Sequence, residues 1–392
     1  MLNEHYLSML SSKDIIFDIF AYATKRRAEI GAENVFDFSL GNPSVPSPSS
    51  VQEAVSTILS QTDPVELHSY SPAGGIPFVR KAVAEDLNRR YGSHYGPENI
   101  FMTSGAAAAL AHALRAVTQP GDTVLTFAPC FSEYQPYVNG AGCRLSVVPP
   151  DTDTLQINFE ETEKLFTENV ACVLINSPNN PSGIVYSEET ITRLAALLRE
   201  KSEEYGHTVY LITDEPYRDI IFEGTGSPFI SNYYDHTLMC YSYSKSLSLP
   251  GERIGYVAVN PRAESAECIF SLFAQISRET GHNGAPAIWQ RVAALCAGQT
   301  ADLSVYEKNS SILYDALTSY GYSIVRPGGT FYMFPRSPGP DAGAFCRRAM
   351  ENDLMLVPGD GFGCPGHFRI AYCVPTEMVI RSLPVFQKMI RP

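Results

Sequence analysis

Between residues 100 and 260, short apolar runs alternate with longer segments whose apolar positions return at three- and four-residue spacing. The runs at 100–103, 123–129 (TVLTFAP), 143–149 (CRLSVVP), 170–178 (VACVLINSP), 208–217 (TVYLITDEPY), 236–240 (HTLMC) and 254–260 (IGYVAVN) predict strands. Segments 106–117, 132–138, 159–166 and 187–204 predict helices between them. The strands are apolar nearly throughout rather than alternating with polar positions, which fits a mostly parallel sheet covered by helices on both faces. Little chain separates the run at 254–260 from its predecessor, so this last strand is expected to be antiparallel.

The flanks read differently. Residues 13–30 form an amphipathic pattern with Ile15, Ile16, Ile19, Phe20 and Ala23 on its apolar side, Ser12 as the expected cap and Gly31 and Asn34 at its end. Val35–Leu40 is extended, GNPSVPSPSS at 41–50 is a loop, and 50–59 and 77–90 are helices, with Pro77 in a first turn. Past 260, helices are predicted at 263–276, 287–297 and 305–320, with a loop over 278–286. Residues 322–335 read as two strands about a Gly-Gly turn, followed by a helix at 342–351, a strand at 367–373 and a helix at 376–389. The predicted class is α/β: a three-layer α/β/α large domain over 46–295 and a smaller α+β domain from 1–45 and 296–392. Two domains also suit a chain of 392 residues, too long for one simple core.

Charge and cysteine usage narrow the partners. With 42 Asp and Glu against 29 Lys and Arg, the formal charge is -13, which disfavours nucleic acid or an anionic membrane as partner. No run approaches the roughly 18 uncharged apolar residues of a membrane-spanning helix, and the N-terminus lacks the pattern of a secretory signal. Nine scattered cysteines, an odd number without a CxxC, fit a reducing compartment, and the expected location is the cytoplasm.

Ligands of such sheets lie beyond the carboxyl ends of the strands. Phe131, Asn180, Asp214, Tyr217 and Lys245 all fall at or just past these ends. Lys245 stands in YSYSKSLSLPGER, directly after Ser244 and three residues after Ser242, with Arg253 beyond Pro250 and Gly251. Desolvation would lower its pKa and make the amine a nucleophile, while the hydroxyls and Arg253 suit a phosphate; the implied chemistry is a Schiff base with pyridoxal phosphate. Ser104, Gly105 and Ala106 open a helix whose first turn would offer free N–H groups to an anion, although a tightly packed alanine-rich helix has the same sequence. Singly, each residue has a plainer use: a solvated lysine, an aspartate closing a turn, a core tyrosine. Their convergence carries the argument.

The motifs GN (41–42), YSPAGG (70–75), SGAAAAL (104–110), NNPSG (179–183), DEPY (214–217), SYSKSLSLPGERIG (242–255), PGGTFYMF (327–334) and FRIAY (368–372) together resemble those of the fold-type I pyridoxal-phosphate enzymes, the class I/II aminotransferases of the aspartate aminotransferase type. The resemblance spans nearly the whole chain. It implies pyridoxal 5'-phosphate as cofactor, amino acids and 2-oxo acids as substrates, and a homodimer with shared sites. Lys245 would be the Schiff-base lysine and then the base that moves a proton. Asp214 would pair with the pyridine nitrogen, Tyr217 and Asn180 with the phenolic oxygen, and Phe131 would stack on the ring. Ser104, Gly105, Ala106, Ser242, Ser244 and Arg253 would hold the phosphate, joined by Tyr70 from the neighbouring subunit. Arg369 would clamp the substrate α-carboxylate near Gly41 and Asn180. Arg278, five residues before Asn283, resembles the arginine that reads a distal carboxylate, but SRETGHNGAP departs from the usual pattern and Glu279 would offset its charge. The implied reaction moves an amino group from an L-amino acid, aspartate or glutamate if Arg278 serves, to a 2-oxo acid such as 2-oxoglutarate. Aromatic donors, a carbon–sulfur β-lyase acting on cystathionine-like substrates, and a cofactor-free binding protein on the same fold are the alternatives.

Overall fold

The computed structural model describes residues 2–10 and 15–390; the expected Ser12 cap lies outside them. Seven strands form one sheet in the order 100–103, 255–259, 237–242, 210–214, 170–176, 123–127, 144–148. The last five are mutually parallel, while Gly255–Val259 runs antiparallel to both of its neighbours. The connection from Ser242 to Gly255 is too short for a crossover helix, so the strand must reverse.

The unbroken apolar character of these strands has a direct structural cause. Val124, Leu174, Ile212 and Leu238 join one core with helices 106–117 and 266–280. Their sequence neighbours Leu125, Val173 and Leu211 join another, against helix 188–205. Side chains alternate across a strand, so a sheet buried on both faces needs apolar residues at every position. Helices 49–61, 77–91 and 287–295 build a further core against Met239, Tyr241 and Tyr256.

Beside this sheet, Phe36–Asp37 pairs in parallel with Leu354–Met355, and Val357–Pro358, Phe368–Ala371 and Tyr332–Met333 form a small antiparallel sheet. Helices 304–320 and 376–389 cover it through Leu313, Leu317, Val379 and Phe386. The expected hairpin at 322–335 is not formed, and only Tyr332–Met333 is a strand there. Instead Gly328 and Gly329 both donate their N–H to Gly183 O, at 3.0 and 3.1 Å, while Phe222 N donates to Gly328 O at 2.9 Å. A Cβ on Gly329 would lie 2.4 Å from Ile220 O, so the Gly-Gly pair serves a close approach to 183 and 220–222. The helix predicted at 263–276 runs over Ala266–Thr280 and therefore contains Arg278, which was expected in a loop. A short helix not foreseen, Pro64–His68, is capped by Asp63, whose Oδ1 accepts from Val65 N at 2.9 Å and Glu66 N at 3.1 Å. Among the described residues no helix is long and apolar enough to cross a membrane.

Candidate active site

A cleft of about 450 Å³ opens over the carboxyl ends of the central strands. Asn176 and Asp214 end neighbouring strands in register, and Ser242 ends the next. Gly41, Ala106, Phe131, Asn180, Asp214, Tyr217, Ser242, Lys245, Arg253 and Arg369 all line this cleft.

Lys245 sits in a one-turn helix, Tyr243–Ser246, begun by Ser242, whose hydroxyl accepts Ser244 N at 3.1 Å and donates to Ser244 Oγ at 2.6 Å. Its Nζ donates to Gly41 O at 2.8 Å, so the amine is held by a backbone carbonyl rather than a carboxylate. Burial, with Arg253 and Arg369 adding to it, pulls the ammonium down to about 8.

Asp214 is held at two points, one of them braced in turn by a further bond. Its Oδ2 accepts from Tyr134 OH at 2.7 Å, its backbone carbonyl accepts from Asn176 Nδ2 at 2.7 Å, and Asn176 Oδ1 in turn accepts Asn180 N at 2.7 Å. Its other oxygen, Oδ1, is buried without a hydrogen-bond partner. Desolvation raises the carboxyl to about 7, against the lowering effect of the Tyr134 bond. A buried acceptor left open in this way is costly unless a ligand donor completes it.

Arg369, 2% exposed, donates Nη1 to Asn180 Oδ1 at 3.0 Å and Nη2 to Ser39 O at 2.6 Å, while its Nε has no partner. Its guanidinium stands 4.8 Å from the Tyr332 ring centroid and 5.0 Å from that of Phe362. Arg253 takes a left-handed backbone conformation, φ 52°, and is tied to Pro250 O at 3.0 Å and Ser104 O at 3.4 Å. Opposite it, helix 106–117 starts at Gly105 with φ 86° and no side-chain cap, and a Cβ there would lie 2.8 Å from Arg253 Nη2. Glycine thus keeps open the space between the helix N-terminus and the arginine.

Four expected residues do not line the cleft: Ser104 and Gly105 stand behind its edge, beside Arg253, and two others lie away from it. Tyr70 is fully exposed and does not line this chain's cleft. Arg278 is exposed on the last helical turn before Gly281, also away from the cleft, and forms no ion pair with Glu279 or any other described residue. Three contributors went unrecognised in the sequence: Tyr134, Asn176 and Tyr332. Tyr134 is three residues past Phe131 in the next helical turn, and Asn176 is the last residue of an apolar strand, the position where a polar side chain would face the ligand; both signals were present.

The donor set fits pyridoxal phosphate. Lys245, Arg253 and Arg369 have no carboxylate partner among the described residues, which leaves three cations for an anionic ligand. The orphaned Asp214 oxygen calls for a cationic N–H, and Phe131 lines the same cleft.

A mostly parallel sheet with a lysine, an aspartate and an uncapped helix N-terminus at its carboxyl edge defines a fold-type I pyridoxal-phosphate enzyme. Residues 33–383 match the class I and II aminotransferase family. A solved amino transferase from Eubacterium rectale shares 45% identity, with a TM-score of 0.97 over 99% of this chain and 98% of that one. The aspartate aminotransferase of Thermotoga maritima is 30% identical over 356 residues, 90% of each chain. The aspartate/prephenate aminotransferase of Thermus thermophilus is 31% identical over 363 residues, 89% of each. The chain belongs to the pyridoxal-phosphate-dependent class I and II aminotransferases and is an enzyme of that kind.

Proposed function

We propose that this aminotransferase exchanges an amino group between an L-amino acid and a 2-oxo acid, with L-aspartate and 2-oxoglutarate as the pair to try first. The carrying observation is that Lys245, Asp214 and Arg369 meet in one cleft without a carboxylate for either cation or a donor for Asp214 Oδ1. Pyridoxal phosphate, when bound, supplies a protonated ring that draws negative charge away from the substrate's α-carbon. Asp214 holds the proton on the ring nitrogen, since an adjoining cation favours its carboxylate form. Lys245 Nζ, neutral in a large fraction near pH 8, takes the α-proton. Arg369 binds the α-carboxylate through its planar fork and fixes the α-carbon toward Lys245. Tyr217 and Asn180 would donate to the ring oxygen, Phe131 would pack on the ring, and Ser104, Gly105, Ala106, Ser242, Ser244 and Arg253 would receive the phosphate.

The working unit in this reading is a cytoplasmic homodimer, each subunit divided into a cofactor-binding domain of 46–295 and a small domain of 1–45 and 296–392. Exposed Val65, Tyr70, Phe78 and Leu295 support an apolar contact with a second copy, from which Tyr70 and Arg278 would reach the neighbouring cleft. A second reading, an aromatic or large apolar donor, is favoured by Ile16, Phe17, Leu40 and Tyr137 lining the cleft.

The test is an absorbance titration of the purified protein. A visible cofactor band bleached by L-aspartate and restored by 2-oxoglutarate supports the first pair. Bleaching by L-phenylalanine but not by aspartate moves the donor to the second reading. Pyruvate and ammonia released from cystathionine without any 2-oxo acid would place the enzyme among β-lyases. A protein that shows no band after pyridoxal phosphate is added overturns the proposal.

A further inference from the structure

Tyr332 occupies the junction of three functional contacts. Its hydroxyl is 3.2 Å from Tyr217 OH, and the two rings meet edge to face with centroids 5.6 Å apart. Its ring face carries the Arg369 guanidinium at 4.8 Å. Its hydroxyl also packs on Gly41, where a Cβ would fall 1.8 Å from that oxygen, and Gly41 O is the acceptor of Lys245 Nζ. The side chain is 3% exposed, and its backbone N–H is fixed by Thr330 Oγ1 at 3.0 Å. A single buried phenol therefore touches Arg369, the glycine whose carbonyl anchors Lys245, and Tyr217.

A phenol has one proton. If Tyr217 gave its proton to Tyr332, it would have none for an acceptor in the cleft; if Tyr332 donates to Tyr217, the Tyr217 proton is left free to point there. The surroundings favour the second arrangement. Burial raises both phenols, Tyr332 to about 12 and Tyr217 well above the ordinary phenol value; the Arg369 cation over the Tyr332 ring is the main opposing influence at Tyr332 and only a minor one at Tyr217, which leaves the Tyr332 O–H the more acidic of the pair. We propose that Tyr332 is a positioning residue that donates to Tyr217 and so aims the Tyr217 hydroxyl at the cofactor's ring oxygen. The chain Arg369–Tyr332–Tyr217 then joins the carboxylate-binding end of the cleft to the cofactor. A substrate carboxylate that neutralises Arg369 weakens Tyr332 as a donor and relaxes the Tyr217 contact.

This inference rests on the cofactor placement proposed above, and the test separates the two. The visible band of the loaded enzyme is titrated against pH in wild type, Y332F, Y217F and the double variant. Y332F keeps the ring under Arg369 and removes only the hydroxyl. Loss of a donor chain to the ring oxygen makes the neighbouring nitrogen more basic, so the midpoint in Y332F is expected to rise by roughly half a pH unit. The same change in a Y217F background is expected to leave the midpoint in place, because Tyr332 acts through Tyr217. The donor KM of Y332F stays within about twofold of wild type, as its ring still supports Arg369. An unmoved midpoint in Y332F, or an equal rise with and without Tyr217, overturns the inference alone. A wild-type protein without a visible band overturns the cofactor reading and the inference together.

Discussion

Replacing Arg369 with lysine tests the carboxylate clamp most directly. The guanidinium is buried, bound by one side-chain oxygen and one backbone carbonyl, and sandwiched between Tyr332 and Phe362, so its plane is fixed before any substrate arrives. Lysine retains the charge but loses the fork. An ammonium cannot present two parallel N–H groups to one carboxylate, so one of two charge-assisted hydrogen bonds is forfeited. At roughly 1.5–3 kcal/mol for such a bond, kcat/KM for an L-amino acid should drop about 10- to 150-fold. The assay is single-turnover bleaching of the cofactor band by the amino acid, with the amine lacking its α-carboxylate as reference. The loss should appear for the amino acid and be absent for the amine. Equal losses for both compounds, or an amino acid rate within about threefold of wild type, would refute the assignment of Arg369 to the α-carboxylate.

Three further outcomes follow from the site. In cofactor-free protein, Lys245 should react with an amine-directed reagent such as trinitrobenzenesulfonate with a midpoint near pH 8, well below a free lysine; a midpoint above pH 10 would contradict its desolvation, read by mapping the labelled peptide. Asp214, raised to about 7, retains its proton in the folded state while the unfolded chain loses one from about pH 4 upward, so its contribution to stability falls as pH rises through that window and levels off above 7. The cofactor-free Asp214→Asn variant should therefore gain in melting temperature relative to wild type between pH 5 and pH 8, and a pH-independent difference would count against the shifted carboxyl. In the loaded enzyme, Arg278→Gln should lower kcat/KM for aspartate at least about tenfold and leave an aromatic donor unchanged if Arg278 reads a distal carboxylate; parallel changes for both donors would remove it from that role.

Much of this architecture was legible in the chain because the cause is local. Strands such as 170–176 and 237–242 are apolar at nearly every position, which only a doubly covered sheet explains, and the functional residues cluster just past their ends. The misread parts depend on partners distant in sequence. The 322–335 segment carries a hairpin's signals, yet its glycines answer to Gly183 and Ile220. Residues 278–286 have a loop's composition, yet Arg278 is helical because the helix runs on to Gly281, whose φ of 73° makes it the C-terminal cap. Tyr332 stands in PGGTFYMF (327–334), but its meeting with Tyr217 spans 115 positions and leaves no periodic trace in the sequence.

The three unpaired cations around the cleft have a consequence for how the protein persists in a cell. A chain with net charge -13 holds a concentrated knot of positive charge whose counter-ions are not among its own described residues. In the proposed reading that negative charge would come from outside, and a bound phosphate and carboxylate would act as removable parts of the folded structure. Each lowers the free energy of the native state in proportion to the logarithm of its concentration over its dissociation constant. Cofactor supply would then set how much folded protein survives as well as how fast it turns over.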